Sequence, residues 1–232
     1  ARGDLAAAGY GSDKAIFGYG RTGSNLSMTN LVNNSGVVAA DTTGVGTARW
    51  GLGAANYGTD KAIFGYGTTG SNSSLTNLVS SSGVVASDTA GVGTARYYTA
   101  GVSYGEDKAI FGYGYNGGNL SLTNLVSNLG VVSADVTGVG TARGYLAAAS
   151  YGTDKGIFGY GYTGSNVSMS NLVSNTGVIA SDVSGVGTAR RQLAAAGYGG
   201  DKAIFAYGAS SGNQNMSNLV NNSGVVSADV TG

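Results

Sequence analysis

Short apolar runs separated by glycine, asparagine, serine and aspartate set the pattern at the start of the chain. The runs are Leu5–Tyr10, Lys14–Tyr19, Ser27–Asn33 and Val37–Ala39. Each is too short, and too often interrupted by glycine, for a helix of ordinary length. The pattern therefore predicts four short β-strands joined by turns that glycine, asparagine, aspartate and serine make.

The second run shows the alternation of a strand. Ala15, Phe17 and Tyr19 are expected on one face, with Ile16 and Gly18 on the other. All five phenylalanines of the chain occupy the repeat position of Phe17. We expect each of these rings to be buried between neighbouring units.

The whole pattern returns with a fixed period. The segment 13–20 recurs with few changes at 60–67, 107–114, 154–161 and 201–208, each 47 residues after the last. Repeated units of four short strands are typical of propeller blades, and closing the ring protects the sheet edges. We therefore predict an all-β fold, one domain over 1–232, that forms a single five-bladed β-propeller with four antiparallel strands per blade. The blades cover approximately 1–46, 47–93, 94–140, 141–187 and 188–232. A parallel β-helix and a β-prism fit this period less well.

The unbroken period also predicts closure. Ala1 and Gly232 should lie close together, because only three residues of a fifth linking loop are lacking between them. The small segment Leu5–Tyr10 and its copies suit the inner strands, since large side chains would collide near the axis of a five-bladed ring.

An arginine before each small apolar strand, followed by a turn and Ala-Ile-Phe-Gly-Tyr-Gly, resembles the kelch motif. The arginines are Arg2, Arg49, Arg96, Arg143 and Arg190. In kelch repeats a glycine doublet ends the second strand, whereas here a tyrosine splits the doublet, and the outer-strand tryptophan is missing. The resemblance implies a propeller. Glycine-rich arrays of near-identical units also resemble structural proteins of phages and viruses, which would imply a place on a virion.

Composition excludes several function classes. Lysine plus arginine equals aspartate plus glutamate at 12 each, so no net charge attracts nucleic acid or an acidic membrane surface. The chain has no histidine and no cysteine, which removes the commonest general base and all thiolate chemistry. We expect no enzyme, no cofactor, no metal site, and a monomer without nucleic-acid or membrane partners.

Most of the charge is itself repeated. Asp13, Lys14, Asp41 and Arg49 each have a counterpart in every unit. Acid–base catalysis needs carboxylates in unlike environments, which a copied residue does not supply. These charges are therefore expected to cap turns and to form ion pairs from blade to blade, or to cap loops, and not to bind substrate.

The units differ from one another mainly at two residue pairs. After each arginine the pairs are Gly3-Asp4, Trp50-Gly51, Tyr97-Tyr98, Gly144-Tyr145 and Arg191-Gln192; after the second strand they are Arg21-Thr22, Thr68-Thr69, Tyr115-Asn116, Tyr162-Thr163 and Ala209-Ser210. In an up-and-down blade the start of the first strand and the end of the second lie at one end, so both pairs should open onto one face. That face should have an aromatic sector opposite a charged one formed by Asp4, Arg21, Arg191 and Gln192.

Exposed aromatic rings among asparagine, threonine and serine suggest sugar stacking or protein capture. The predicted ligand-binding residues are Trp50, Tyr97, Tyr98, Tyr115, Asn116, Tyr145, Tyr162 and Thr163. Drift at tolerant loop ends explains the aromatics equally well. The preferred function is a non-enzymatic platform for a carbohydrate or protein ligand. The alternatives are a structural or assembly module, and an engineered or reconstructed symmetric repeat protein.

Overall fold

The computed structural model describes residues 1–231, and these residues form an all-β fold of five antiparallel sheets. Each sheet comes from one 47-residue unit, and we number the sheets 1 to 5 in chain order. Strands pair in sequence order within every sheet. The described residues include no helix, and therefore none long and apolar enough to cross a membrane.

The strand bounds repeat closely from sheet to sheet. Sheet 1 holds β1 (Ala6–Tyr10), β2 (Lys14–Gly18) and β3 (Thr29–Val32); sheet 2 holds β4 (Gly53–Tyr57), β5 (Lys61–Gly65) and β6 (Thr76–Val79); sheet 3 holds β7 (Ala100–Tyr104), β8 (Lys108–Tyr115) and β9 (Asn119–Val126); sheet 4 holds β10 (Ala147–Tyr151), β11 (Lys155–Tyr162) and β12 (Asn166–Val173); sheet 5 holds β13 (Ala194–Tyr198), β14 (Lys202–Ala206), β15 (Met216–Val220) and β16 (Val230–Thr231).

The expected fourth strand, Val37–Ala39 and its copies, forms only an isolated bridge in every sheet; sheet 5 alone has a fourth strand, the two-residue β16, which pairs with β15 in the predicted linking loop. In sheet 1 the corresponding segment touches β3 at two isolated bridges, Val32 with Val38 and Thr29 with Thr42. Between these bridges the segment forms no continuous ladder with β3. Four strands per sheet is thus wrong for sheets 1 to 4, which have three strands and a bridging segment.

Consecutive sheets pack side by side through their first strands. β1 lies against β4, β4 against β7, β7 against β10 and β10 against β13. The first strands of all five sheets line one narrow cavity of about 240 Å³. Their alanine, glycine and serine residues allow this close approach, as the sequence pattern indicated.

Each contact between sheets has one recurring core. In the first, Tyr19 meets the ring of Phe64 edge-on with centroids 5.2 Å apart, and Ile16 belongs to the same buried cluster. Tyr19 has a left-handed backbone (φ 62°), and its copies share this conformation. A residue in this conformation shifts the strand register, as Tyr113 does between Gly112 and Gly114. The tyrosine side chain then points to the face of the sheet that packs against the next sheet. The expectation that Tyr19 shares a face with Phe17 was therefore wrong.

The phenylalanine prediction is confirmed in four of five units. Phe64, Phe111, Phe158 and Phe205 are fully buried, each under the tyrosine of the preceding sheet. Phe17 is only half-buried, because no sheet covers it.

The repeated arginines and aspartates pair with each other, as predicted, but each ion pair lies within one unit and not between blades. Arg49 is fully buried; its Nη2 donates to Asn77 Oδ1 at 2.7 Å, and its Nη1 lies 3.7 Å from Asp88. The guanidinium carbon also lies 4.6 Å from the centre of the Tyr19 ring. The free-energy cost of burying the Arg49 guanidinium is offset by the hydrogen bonds that its Nε, Nη1 and Nη2 atoms donate.

Linking loops fasten each sheet to the next. Thr47 donates to the Asp88 carboxylate from its backbone N–H (2.9 Å) and from its hydroxyl (2.6 Å). Burial alone would raise the pKa of Asp88, but these bonds and one from Asn77 lower it below its ordinary value.

The expected closed ring is not present in the structure. The tyrosine of sheet 5, Tyr207, is 61% exposed, and β13 has no packing against β1 comparable to the other four contacts. Four linking loops join the five sheets. The hydrogen bonds from a linker threonine to an aspartate of the next sheet depend on such a loop, so sheets 5 and 1 have no bonds of this kind between them. The predicted closeness of Ala1 to Gly232 involves a residue outside the described range.

Candidate functional site

The two variable pairs of each sheet lie side by side, as the strand order predicted. In sheet 2 the backbones of Trp50 and Thr68 exchange hydrogen bonds of 3.1 and 2.9 Å, and in sheet 3 those of Tyr97 and Tyr115 exchange bonds of 3.1 and 2.8 Å. Sheets 1, 4 and 5 have the equivalent bridge. The variable side chains therefore project from one end of every sheet.

The structure brings the six non-repeated aromatic residues together. We call them the aromatic cluster: Trp50, Tyr97, Tyr98, Tyr115, Tyr145 and Tyr162. Their rings form an unbroken series of contacts, with Tyr98 stacked on Tyr145 at 3.6 Å and Tyr97 against Tyr98 at 4.5 Å. Trp50 meets both Tyr97 and Tyr98 edge-on at 5.4 and 5.5 Å.

The outer members complete the series. Tyr115 lies 5.7 Å from Tyr97, and Tyr162 lies 6.4 Å from Tyr145. All six side chains are half-buried rather than freely exposed, because they cover one another. A ligand would therefore meet a continuous aromatic surface instead of separate rings.

The charged residues flank the aromatic cluster instead of facing it. Arg21 lies over the Trp50 ring with its guanidinium carbon 3.7 Å from the ring centre, and Arg191 lies 4.6 Å from the centre of Tyr162. Asp4 holds Arg21 through a 2.8 Å bond to Nε. The expectation of an opposite charged sector assumed a closed ring in which sheets 5 and 1 adjoin, whereas in this open series they lie at the two ends of the aromatic sheets. A guanidinium next to a ring is also attracted to its face.

Asn116 and Thr163 lie beside the cluster, in the turns that follow β8 and β11. The backbone N–H of Asn116 donates to Gly118 at 3.1 Å. The hydroxyl of Thr163 donates to the carbonyl of Ser165 at 3.3 Å. Asn116 is exposed and Thr163 half-buried, so the amide of Asn116 is the more accessible of the two polar groups.

The second residue of each first pair surrounds the mouth of the central cavity. The mouth is a space of about 180 Å³ lined by Asp4, Leu5, Gly51, Leu52, Tyr98, Thr99, Tyr145, Leu146, Gln192 and Leu193. Backbone bonds link neighbouring sheets here: Tyr98 donates to Gly51 at 2.8 Å, and Gln192 donates to Tyr145 at 2.9 Å.

These mouth residues have left-handed backbones. The φ angles are 52° at Asp4, 53° at Tyr98, 57° at Tyr145 and 56° at Gln192, with 67° at Gly51. Non-glycine residues seldom adopt this conformation, and where they do the strain tends to mark functional positions. The sequence carried a weak signal of it, since glycine stands at this position in one unit.

Thr99 is a site residue that the sequence analysis missed. The other four units have leucine at its position, whereas the Thr99 hydroxyl is buried at the mouth without a hydrogen-bond partner. A buried unpaired hydroxyl is unfavourable unless a ligand or water completes it. The departure from the repeat was visible in the sequence, but its place at the mouth was not.

The environment of the mouth keeps the Tyr98 hydroxyl neutral. Burial raises the pKa of Tyr98 far above its ordinary value, and the neighbouring Tyr145 hydroxyl and Asp4 carboxylate raise it further. Tyr98 therefore stays protonated and can donate a hydrogen bond. Within residues 1–231, no three metal-ligating side chains stand together.

Sequence comparisons provide no relative from which a role could be transferred. No protein-family model matches the chain, and no curated protein is significantly similar to it.

Proposed function

We propose that this protein is a non-enzymatic recognition platform on a β-propeller scaffold, and that the aromatic cluster binds carbohydrate. One observation carries the proposal. Six aromatic residues that are scattered from Trp50 to Tyr162 in the sequence, and that interrupt an otherwise regular repeat, form one continuous series of ring contacts, and two of them, Tyr98 and Tyr145, line the mouth of the central cavity.

The propeller part of the proposal rests on how the sheets are arranged. They follow one another around a common cavity, with small first strands innermost. The resemblance to kelch repeats is supported by the arginine before the first strand, which in sheets 2 to 5 is fully buried and lies over a tyrosine ring of the preceding sheet. The sequence predicts five four-stranded blades that close into a ring. This structure differs in two ways: one side of the ring is open, and the fourth segment of sheets 1 to 4 forms only isolated bridges.

The chemistry of the mouth suits a sugar. Aromatic rings stack on the apolar face of a pyranose, and the Tyr98 and Thr99 hydroxyls can bond its hydroxyl groups. Asn116 and Thr163 add an amide and a hydroxyl at the edge. The space of about 180 Å³ lies well below the roughly 300–1,000 Å³ of drug-sized pockets, which favours one monosaccharide residue. We expect a dissociation constant on the order of 1 mM, or about 4 kcal/mol.

A glycan array followed by NMR titration of the full chain tests this function. The informative variants copy residues that the repeat already accepts: Trp50→Gly reproduces Gly3, and Tyr98→Gly reproduces Gly51 without backbone strain. Each should weaken binding by about tenfold or more, since about 1.4 kcal/mol of lost stacking corresponds to tenfold. The melting temperature should stay near that of the unmodified chain.

Tyr198→Ala is the matched control, because Tyr198 is an exposed tyrosine outside the mouth. It should leave glycan binding unchanged. Absence of any glycan signal from the unmodified chain, or equal losses in all three variants, would refute carbohydrate recognition at this site.

A structural or assembly role is the second candidate. The exposed ring of Tyr207 on sheet 5 and the uncovered Phe17 on sheet 1 favour it, because both positions are core contacts elsewhere in the chain.

A further inference from the structure

The four contacts between consecutive sheets use one set of groups. A tyrosine ring of the leading sheet meets a phenylalanine of the following sheet edge-on, at 5.2–5.3 Å between centroids. The arginine before the following sheet lies over the same tyrosine, at 4.1–4.6 Å. A linker threonine then fastens to an aspartate of the following sheet. Each contact thus has a tyrosine side and an arginine–phenylalanine–aspartate side.

Sheet 1 presents the second side with nothing on it. Arg2 still donates to Asn30 at 2.6 Å and lies 4.0 Å from Asp41, as its buried counterparts do with their partners. The Asp41 side chain is 64% exposed, against 25% for Asp88, which a linker threonine covers. Beside these groups and Phe17 lies a cavity of about 620 Å³, and every described residue that lines it belongs to the first unit.

Sheet 5 presents the tyrosine side. Tyr207 is 61% exposed where its four counterparts are fully buried. Tyr198 is 40% exposed, whereas Tyr151 in the equivalent place is 4% exposed and lies against Gly224 of the next sheet. The amide of Gly152 donates to Asp201 of the next sheet at 2.8 Å, a bond of the kind that every closed contact contains.

The geometry points to one occupant for both surfaces: a further 47-residue unit of this repeat type, which offers its tyrosine to Phe17 and Arg2 and its own arginine and phenylalanine to Tyr207. The two sides fit such a unit because they continue an interface that the chain already forms four times. The exposed Asp41 carboxylate lacks only the threonine N–H and hydroxyl that a linker brings.

Direct docking of sheet 5 on sheet 1 of the same chain fits less well. The first strands of sheets 1 and 5 line the same central cavity, but no described residue of sheet 5 lines the cavity beside Phe17, so the two sheets stand apart away from the axis. Closing this gap would require all four contacts to rotate. Those contacts are tight: a side-chain carbon on Gly65 would lie 2.8 Å from the ring of Phe111.

A whole second chain fits less well again. The first strands of all five sheets already line one cavity. A second set of five sheets, docked through its sheet 5, would carry its sheet 4 into the space that sheet 5 of the first chain occupies. One unit of the repeat avoids this collision.

The test is a full chain extended after Gly232 by Val-Gly-Thr-Ala and a copy of residues 96–142, compared with the unextended chain by hydroxyl-radical footprinting and sedimentation. In the unextended chain, Tyr207 and Phe17 should react faster than Tyr160 and Phe158 at every protein concentration. In the extended chain both should slow to the rates of Tyr160 and Phe158 in the same molecule. Limited proteolysis should leave the added unit intact.

Each other outcome overturns the inference. Protection of Tyr207 and Phe17 in the monomeric unextended chain would show closure by its own sheet 5. Protection that rises with concentration, together with a doubled mass, would show a second copy as the occupant. Protection of Tyr207 alone in the extended chain would show that one unit does not reach sheet 1. The Tyr207→Ala form of the extended chain should lose protection of Phe17, while its five original sheets keep their own protection.

Discussion

Replacing Phe111 by alanine probes the contact between sheets most directly. Phe111 is fully buried and meets Tyr66 edge-on at 5.3 Å. Gly65 and Gly53 form the floor under its ring, at 2.8 and 3.0 Å from the positions where their side chains would begin. Because glycine has no side chain that could move into the vacated space, the cavity left by the ring cannot collapse easily.

The expected loss follows from these contacts. Burying a phenylalanine side chain stabilises a fold by about 1.5–3 kcal/mol, and an edge-to-face partner adds about 0.5–1.5 kcal/mol. With the cavity that remains, Phe111→Ala should cost about 4 kcal/mol, within the usual 3–5 kcal/mol for this change. Phe17→Ala removes the same ring from a half-buried site without a tyrosine partner, and should cost about 1–2 kcal/mol.

Urea denaturation and thermal melting, both followed by circular dichroism, measure the difference. For a chain of this size, 1 kcal/mol shifts the melting temperature by about 2–4 °C, so Phe111→Ala should lower it by about 8–16 °C. Phe17→Ala should lower it by less than half as much. Equal losses at the two positions would mean that Phe17 is covered in solution, and an unchanged melting curve for Phe111→Ala would remove that position from the core.

Three further predictions concern pH and packing. Burial raises the pKa of Tyr19 and its three buried copies to about 12. The free energy of unfolding should therefore be at its full value below pH 10 and fall between pH 10 and 12, by about 1.4 kcal/mol per tyrosine per pH unit. Urea midpoints that stay constant over this range would contradict the prediction. Burial alone would raise the pKa of Asp135, but hydrogen bonds from the linker Thr94 and from Asn124, together with the charge of Arg96, lower it, so its contribution is present above about pH 4 and lost as pH falls further. Asp135→Asn should cost about 1.5–3 kcal/mol at pH 7 and much less at pH 2, and an equal loss at both would show that charge is not involved. Gly65→Ala should cost about 1–3 kcal/mol by overpacking, whereas Gly23→Ala, with nothing within 4 Å, should change the melting temperature little; similar curves for both would disprove the close contact.

The repeat made much of this fold predictable. A period of 47 residues fixed five equal sheets, and the charges copied in every unit were correctly assigned to pairing, as Arg49 and Asp88 illustrate. Strand order alone placed both variable pairs at one end. These conclusions needed only local pattern and chain connectivity, which a sequence carries directly.

The sequence-based predictions failed where the structure depends on a single backbone angle or on a contact between distant residues. Alternation put Tyr19 on the face of Phe17, because the sequence Gly-Tyr-Gly does not reveal that the tyrosine takes the left-handed conformation. Closure was predicted from the count of units, but it depends on how far each sheet turns against the next. The contact between Trp50 and Tyr97 and the unpaired hydroxyl of Thr99 depend on side chains of different units, which no local pattern relates.

The two variable pairs of each sheet are joined to each other by main-chain bonds, such as the 3.1 Å bond from the Trp50 amide to the Thr68 carbonyl. These bonds do not depend on the identity of the side chain, so residues here can vary without disturbing the tyrosine–phenylalanine and arginine contacts between sheets. Recombination between copies within the gene would then reorder whole units and create new neighbours at the mouth, while leaving the scaffold unchanged. Such a gene would be a combinatorial store of mouth surfaces, in which diversity would come from the order of the units as well as from point mutation.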